Sequence, residues 1–174
     1  NLLAFVSTRN NQTDIATFNI RDNKVSFINS TPNGGEYSPI KIPNSEDVSA
    51  VRLDNDGKQR LYRYNIKTGE STELIKDLVV AYYMWFDEST VISAVIENNG
   101  LNLFVTDINT QKSRKYATNV GRSFHKIPNS KLVSFVSKED DKWLIKSLNP
   151  LTGETKIITQ TLPNIEDMCW LING

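Results

Sequence analysis

An internal repeat constrains this chain more than any other feature of its sequence. A turn rich in Asn, Asp and Gly occurs four times: Asn19-Ile20-Arg21-Asp22-Asn23, Asn65-Ile66-Lys67-Thr68-Gly69, Asp107-Ile108-Asn109-Thr110-Gln111 and Asn149-Pro150-Leu151-Thr152-Gly153. Its first residues stand at 19, 65, 107 and 149, so the spacings are 46, 42 and 42. Asn and Asp bond nearby backbone in a turn, and Gly supplies positive φ, so the shared chemistry marks a shared hairpin. A run ahead of each turn repeats in phase: Ala4-Phe5-Val6-Ser7, Ala50-Val51-Arg52-Leu53, Ala94-Val95-Ile96-Glu97 and Ser134-Phe135-Val136-Ser137. A third column precedes three of these runs. Ile42-Pro43-Asn44-Ser45 and Ile127-Pro128-Asn129-Ser130 match almost letter for letter, and Phe86-Asp87-Glu88-Ser89 falls between them.

Each repeat reads as four short strands, a to d. Strand a ends at the Pro-Asn-Ser type turn, and strand b is the Ala-Val type run. Strand c covers Asp14–Asn19, Leu61–Tyr64, Leu101–Thr106 and Trp143–Ser147; strand d covers Val25–Ile28, Thr72–Ile75, Lys115–Ala117 and Thr155–Ile158. Leu61-Tyr62-Arg63-Tyr64 alternates with the period of two of a partly covered strand. Strand b is more continuously apolar, as an inner strand between stacked sheets should be. No run of ten or more residues has helical periodicity. Four strands per unit at this period predict an all-β fold, a β-propeller of four-stranded antiparallel blades. The modules run over about 1–34, 35–78, 79–119 and 120–162, with a final inner strand over 163–174.

The first module starts inside strand b, while Glu166–Gly174 resembles a strand a with its turn. Two readings stay open. The last strand completes the first module and closes a four-bladed ring, or Asn173-Gly174 is a hairpin turn leading onward in a larger ring of about six blades.

Composition excludes several function classes. At 174 residues the chain is long enough to bury a core without staples. Twenty basic and twenty acidic residues leave a net charge of zero, so there is no long-range positive field for nucleic acid or an anionic membrane. Apolar stretches are strand-sized, which argues against membrane-spanning helices. One cysteine, Cys169, and one histidine, His125, exclude an internal disulfide and zinc sites built from Cys or several His. No leader pattern is visible, and the chain reads as a mature form or a piece of something longer.

The modules resemble the WD-like β-propeller repeats of the TolB-type family. The resemblance rests on Ser38-Pro39 upstream of Pro43-Asn44-Ser45, on Ala4-Phe5-Val6-Ser7-Thr8-Arg9, on Asp14-Ile15, on Leu61-Tyr62 with Asn65, and on Thr68-Gly69. It covers nearly the whole chain. It departs where the family's Asp-Gly turn is replaced by Asn44-Ser45, Glu88-Ser89 and Asn129-Ser130. The resemblance implies a propeller of about six blades, export from a bacterium to the periplasm, and a role as a scaffold or beside a peptidase catalytic domain.

In such a ring the d-to-a and b-to-c loops share one face, and strands a line the central channel. The d-to-a set is expected to include Glu36, Tyr37, Ser38, Tyr82, Tyr83, Arg122, Ser123, Glu166 and Asp167; the b-to-c set includes Arg9–Gln12, Asn55–Lys58, Asn98–Gly100 and Glu139–Asp141. Tyrosines with an Arg and carboxylates at a rim suit a peptide or sugar ligand. The partner-binding candidates are therefore Tyr37, Tyr82, Tyr83, Arg122, His125 and Glu166. His125 has no nucleophile motif beside it and reads as structural. Cys169, next to Trp170, reads as a buried thiol. Trp85 and Trp170 share a column and are expected to pack between blades. Asp54-Asn55-Asp56-Gly57 lacks an EF-hand's remaining acids and reads as a hairpin turn, and Glu139-Asp140-Asp141 as a solvated loop. The sequons at Asn11 and Asn29 are incidental by this reading, and no Gly-x-Ser-x-Gly elbow or phosphate-cradling loop is present. The function expected is non-catalytic recognition of a protein or peptide, with no cofactor and no metal. The alternative is the substrate-gating propeller of a larger peptidase or glycan-active hydrolase.

Overall fold

The computed structural model describes residues 1–32 and 34–171, and every regular element among them is a β-strand. The first sheet holds β1 (Leu2–Arg9), β2 (Gln12–Asn19) and β3 (Lys24–Phe27). The second holds β4 (Gly35–Lys41), β5 (Val48–Leu53), β6 (Gln59–Tyr64) and β7 (Ser71–Glu73). The third holds β8 (Val80–Trp85), β9 (Thr90–Glu97), β10 (Gly100–Asp107) and β11 (Lys112–Ala117). The fourth holds β12 (Val120–Lys126), β13 (Val133–Ser137), β14 (Leu144–Leu148) and β15 (Thr155–Gln160). Each sheet is an antiparallel meander in chain order, so β4, β8 and β12 are the first strands of their sheets. The first sheet has no such strand among the described residues. Residues 161–171, where a final inner strand is expected to begin, are irregular, and the Asn173-Gly174 turn lies outside the described residues.

The connections follow from local chemistry. In the four c-to-d turns the Oδ1 of the leading Asx residue accepts from backbone N–H groups two residues on: Arg21 at 3.0 Å, Lys67 at 2.9 Å, Asn109 at 2.9 Å and Leu151 at 3.0 Å. The β1–β2 and β9–β10 hairpins turn on Asn10-Asn11 and Asn98-Asn99, all four at positive φ, as a two-residue type I′ loop requires. Ile42-Pro43-Asn44-Ser45 is a type II turn: Pro sets the first central position, Asn44 takes φ 55°, and Ser45 N–H donates to Ile42 O at 3.2 Å. Ile127–Ser130 repeats it, with Asn129 at φ 56° and the closing bond at 3.3 Å. The third member of that column is built differently. Asp87 Oδ1 accepts from the N–H of Ser89 at 2.9 Å and of Thr90 at 2.7 Å, an Asx turn in place of the Pro-Asn one.

Two compact units result, residues 1–79 and 80–174. In the first, the core gathers Ile15, Val48, Ala50 and Tyr64 from β2, β5 and β6, with Ala4, Ile28, Tyr62 and Ile66 packed on it. In the second, it gathers Ile92, Ala94, Leu103, Val120, Phe124, Val133, Phe135 and Leu148 from the third and fourth sheets. Both cores thus lie between consecutive sheets. Burying each large aliphatic or aromatic side chain there contributes about 1.5–3 kcal/mol.

Candidate functional site

The first strand of each four-stranded sheet carries an irregularity near its start. Register with the neighbouring strand shifts between Tyr37 and Ile40 in β4, between Val80 and Tyr82 in β8, and between Val120 and Phe124 in β12. Such shifts bend a strand and re-aim its side chains, and they are common beside binding sites. In β4 the shift coincides with Ser38 at φ 53°, just before Pro39. Tyr37, Tyr82 and Arg122 each stand third in their strand, and all three are exposed, the tyrosines at 40% and 37%. The candidates are therefore strand residues at a shared position, and not loop residues as the sequence reading expects.

In the second unit the site is charged and tightly paired. The Arg122 guanidinium forks onto Asp167, Nε to Oδ1 at 2.9 Å and Nη2 to Oδ2 at 2.5 Å. Its backbone N–H donates to Glu166 Oε2 at 3.3 Å, and Lys138 Nζ reaches the same oxygen at 2.6 Å. The hydrogen bond to Asp167 holds Arg122 above the ordinary arginine range, with smaller contributions from Glu166 and the Tyr82 phenol. The same bond lowers Asp167. Arg122 and Glu166, both expected at a rim, are thus brought together, and they spend part of their charge on each other. Lys138 completes the network and carried no signal in the sequence, because a lone Lys after a strand reads as solvent-facing.

Other expectations are corrected. Tyr83 is 7% exposed and alternates to the buried side of β8, so it is unavailable to a partner. Glu36 is fully buried, where its Oε1 accepts from the Tyr64 hydroxyl at 3.0 Å and the Thr31 hydroxyl at 2.5 Å. Cys169 is exposed, because the segment bearing it is irregular rather than an inner strand. Trp170 is half-buried and donates from Nε1 to Ser134 Oγ at 2.8 Å, anchoring that segment on the fourth sheet. Glu139, Asp140 and Asp141 are all exposed in their loop, where the Thr118 hydroxyl donates to Glu139 Oε1 at 2.7 Å and lowers its carboxyl.

His125 is half-buried, with Nε2 3.0 Å from Ser123 Oγ. Among the described residues no carboxylate orients the other ring nitrogen, so the pair lacks the third group of a nucleophilic triad. Also among the described residues, no three His, Cys, Asp or Glu side chains gather as metal ligands. In the first unit, Asp54 of the hairpin turn ties down its surroundings. It accepts from Arg52 at 2.5 Å, Arg60 at 2.7 Å and Tyr62 at 3.0 Å, while Arg52 lies over the Tyr62 ring at 3.5 Å. This cluster closes a turn and presents no convergent free group.

No protein-family model and no curated protein sequence matches the chain. Solved structures do. A puromycin hydrolase superposes with a TM-score of 0.76 at 12% identity over 93% of this chain and 28% of its own. TolB from Acinetobacter baumannii gives 0.72 at 16% identity over 92% and 40%, and a chain of a nidogen/laminin complex gives 0.67 at 14% over 95% and 62%. The chain therefore spans well under half of the hydrolase and TolB. At these identities the likeness shows the fold: an all-β propeller of TolB-like antiparallel blades.

Proposed function

We propose that this TolB-like β-propeller is a non-catalytic binding domain that recognises a protein or peptide through the exposed starts of its inner strands. The observation that carries the reading is the shared third position in the strand, occupied by Tyr37, Tyr82 and Arg122, each exposed beside a register shift. Tyr and Arg bring contact area and directed hydrogen bonds at little cost in ordering, which is why they dominate binding hot spots. In the second unit Tyr82, Arg122, Glu166 and Asp167 offer a peptide an aromatic face and charges of both signs. An exported setting belongs to the same reading. Selection of a displayed peptide library on the chain tests it. Selected peptides should lose at least about tenfold in affinity on Tyr82→Ala or Arg122→Ala. Peptides that bind all variants equally, or a library that yields none, would refute it.

A second reading has its own observation, the likeness to a puromycin hydrolase of which the chain covers 28%. Here the propeller positions or gates a peptide substrate, and the chemistry lies outside these residues. Peptidase activity in the polypeptide expressed from the whole gene, abolished by a serine-directed phosphonate, would favour it over pure binding.

A further inference from the structure

We infer that a cavity between the start of β6, the end of β7 and the linker that follows β7 binds a zwitterionic amino acid or short peptide by its two charged ends. The linker creates the space. Strand β11 passes to β12 over two residues, 118–119, whereas β7 is three residues long and six residues, 74–79, follow it before Val80. The linker is held at both ends: Ile75 and Val80 are buried, and Leu74 N–H donates to Leu61 O at 2.8 Å. Between those anchors Lys76 and Asp77 are exposed, and Asp77 turns the chain at φ 61°. The detour leaves a cavity of about 470 Å³, within the size range of small-molecule pockets.

The lining carries charges of both signs. Lys58 and Lys76 face the cavity together with Glu73 and Asp77, and half-buried Leu78 and Val79 add apolar surface. Among the described residues Lys58 Nζ and the Asp77 carboxylate have no ion-pair partner, and Glu73 has only Arg60, at 3.9 Å. Arg60 also lines the cavity but is committed elsewhere. Its Nη1 donates to Asp54 at 2.7 Å and Asp56 at 3.0 Å, and its Nη2 donates to Asp56 at 2.7 Å. Those bonds pin the hairpin turn ahead of β6. In that turn Lys58 N–H donates to Asp56 Oδ1 at 3.0 Å, and Lys58 O accepts from Asp54 N–H at 2.9 Å. The backbone that presents the Lys58 ammonium is therefore fixed before a ligand arrives, which lowers the ordering cost of binding.

This balance of charge selects the ligand. A simple anion drawn to Lys58 meets Glu73 and Asp77, and a simple cation drawn to the acids meets Lys58 and Lys76. A molecule with a carboxylate at one end and an ammonium at the other satisfies both sets and places no like charges together. Lys58 takes the carboxylate, and Asp77, with Glu73 beside it in the lining, takes the ammonium. Leu78 and Val79 offer contact to the body between the two ends, which favours an apolar side chain. The site shares no residue with the surface around Arg122, and the two proposals can fail independently.

The test is calorimetric titration of the protein with leucine, dileucine and trileucine, each also in N-acetylated and C-amidated form. At least one uncapped ligand should bind saturably at one per chain, and the tightest of the three distinguishes a free amino acid from a peptide. Capping either end should weaken it about tenfold or more. Lys58→Gln and Asp77→Asn should each cost as much. Lys58→Gln should no longer distinguish the free acid from the amide, and Asp77→Asn should no longer distinguish the free amine from its acetyl form. Both side chains are exposed, and Asn holds most of the positive-φ positions of this chain, so neither change disturbs the turn. No saturable binding of any of the three uncapped ligands overturns the inference. So does binding that capping leaves unchanged, or binding that neither variant weakens.

Discussion

Gly153 packs against the ring of Tyr116, so closely that a Cβ at residue 153 would overlap the Cε1 of that ring. Gly69 stands in the same way against the backbone carbonyl of Ile28. Both close the c-to-d turn of one blade against the last strand of the blade before it, or its end. Their φ values of +82° and +75° already lie where side chains are disfavoured. The turn glycine thus serves two ends, local conformation and close approach of neighbouring sheets.

Gly153→Ala and Gly69→Ala should each destabilise the fold by about 1–3 kcal/mol, from left-handed strain together with the clash. Gly57→Ala is the control, since Gly57 also has positive φ but nothing within 4 Å of the place a Cβ would take. Chemical denaturation should rank it clearly milder. Equal losses at all three would mean that the contact to the previous blade contributes nothing.

Tyr64 predicts an alkaline response. Burial, then the nearby Glu36 carboxylate, raises its phenol far above the ordinary value of 10.0. The folded protein therefore keeps this proton at pH values where the unfolded chain loses it. The stabilisation is complete below about pH 10 and declines as pH rises beyond it. Tyr64→Phe should remove that decline while costing about 1–3 kcal/mol at neutral pH, because Glu36 loses a buried donor. Urea unfolding at about pH 7.5 and about pH 10.5 measures both effects.

Asp107 predicts the opposite slope in acid. Thr110 N–H chiefly, with help from Asn109, lowers its carboxyl below the ordinary 3.8. That stabilisation is present above the ordinary value and fades as pH falls through the depressed one. The corresponding residues in the other turns are Asn19, Asn65 and Asn149, which make the same bonds without charge. Asp107→Asn should therefore leave the neutral melting temperature unchanged and flatten the acid limb of the profile. Asp107→Ala should lower the melting temperature at neutral pH. A neutral-pH loss with Asn as large as with Ala would sink this account.

The hold of Arg122 on Asp167 predicts a salt-sensitive C-terminal segment. Both groups are exposed, so the pair is open to screening. Arg122→Ala, or wild type in molar salt, should speed amide exchange across residues 165–171 while β12–β15 stay protected. Unchanged exchange would assign the anchoring to Trp170 and Ser134 instead.

Much of the fold was legible because a repeat averages out local ambiguity. The Asx turns at 19, 65, 107 and 149 bracket strands c and d, and the hydrogen bonds form at those residues. Asn, abundant in this chain, has a physical use: it takes most of the positive-φ positions not held by Gly, including both Asn-Asn hairpins and the two Pro-Asn turns. The column of Phe86-Asp87 was harder to read, because one turn function is met there by different chemistry. The candidate site was legible only in part. Tyr82 and Tyr83 are equivalent in sequence, yet alternation across β8 exposes the first and buries the second.

By itself, the sequence determined the all-β class, the repeat, the turn positions and the lack of any metal-binding motif, because these follow from residue type and spacing along the chain. Only the tertiary structure decided that Glu36 is buried under Tyr64 while Glu166 joins Arg122 and Lys138. Those outcomes depend on register shifts, sheet-on-sheet packing and contacts between residues far apart in the chain, and local pattern carries no information about them.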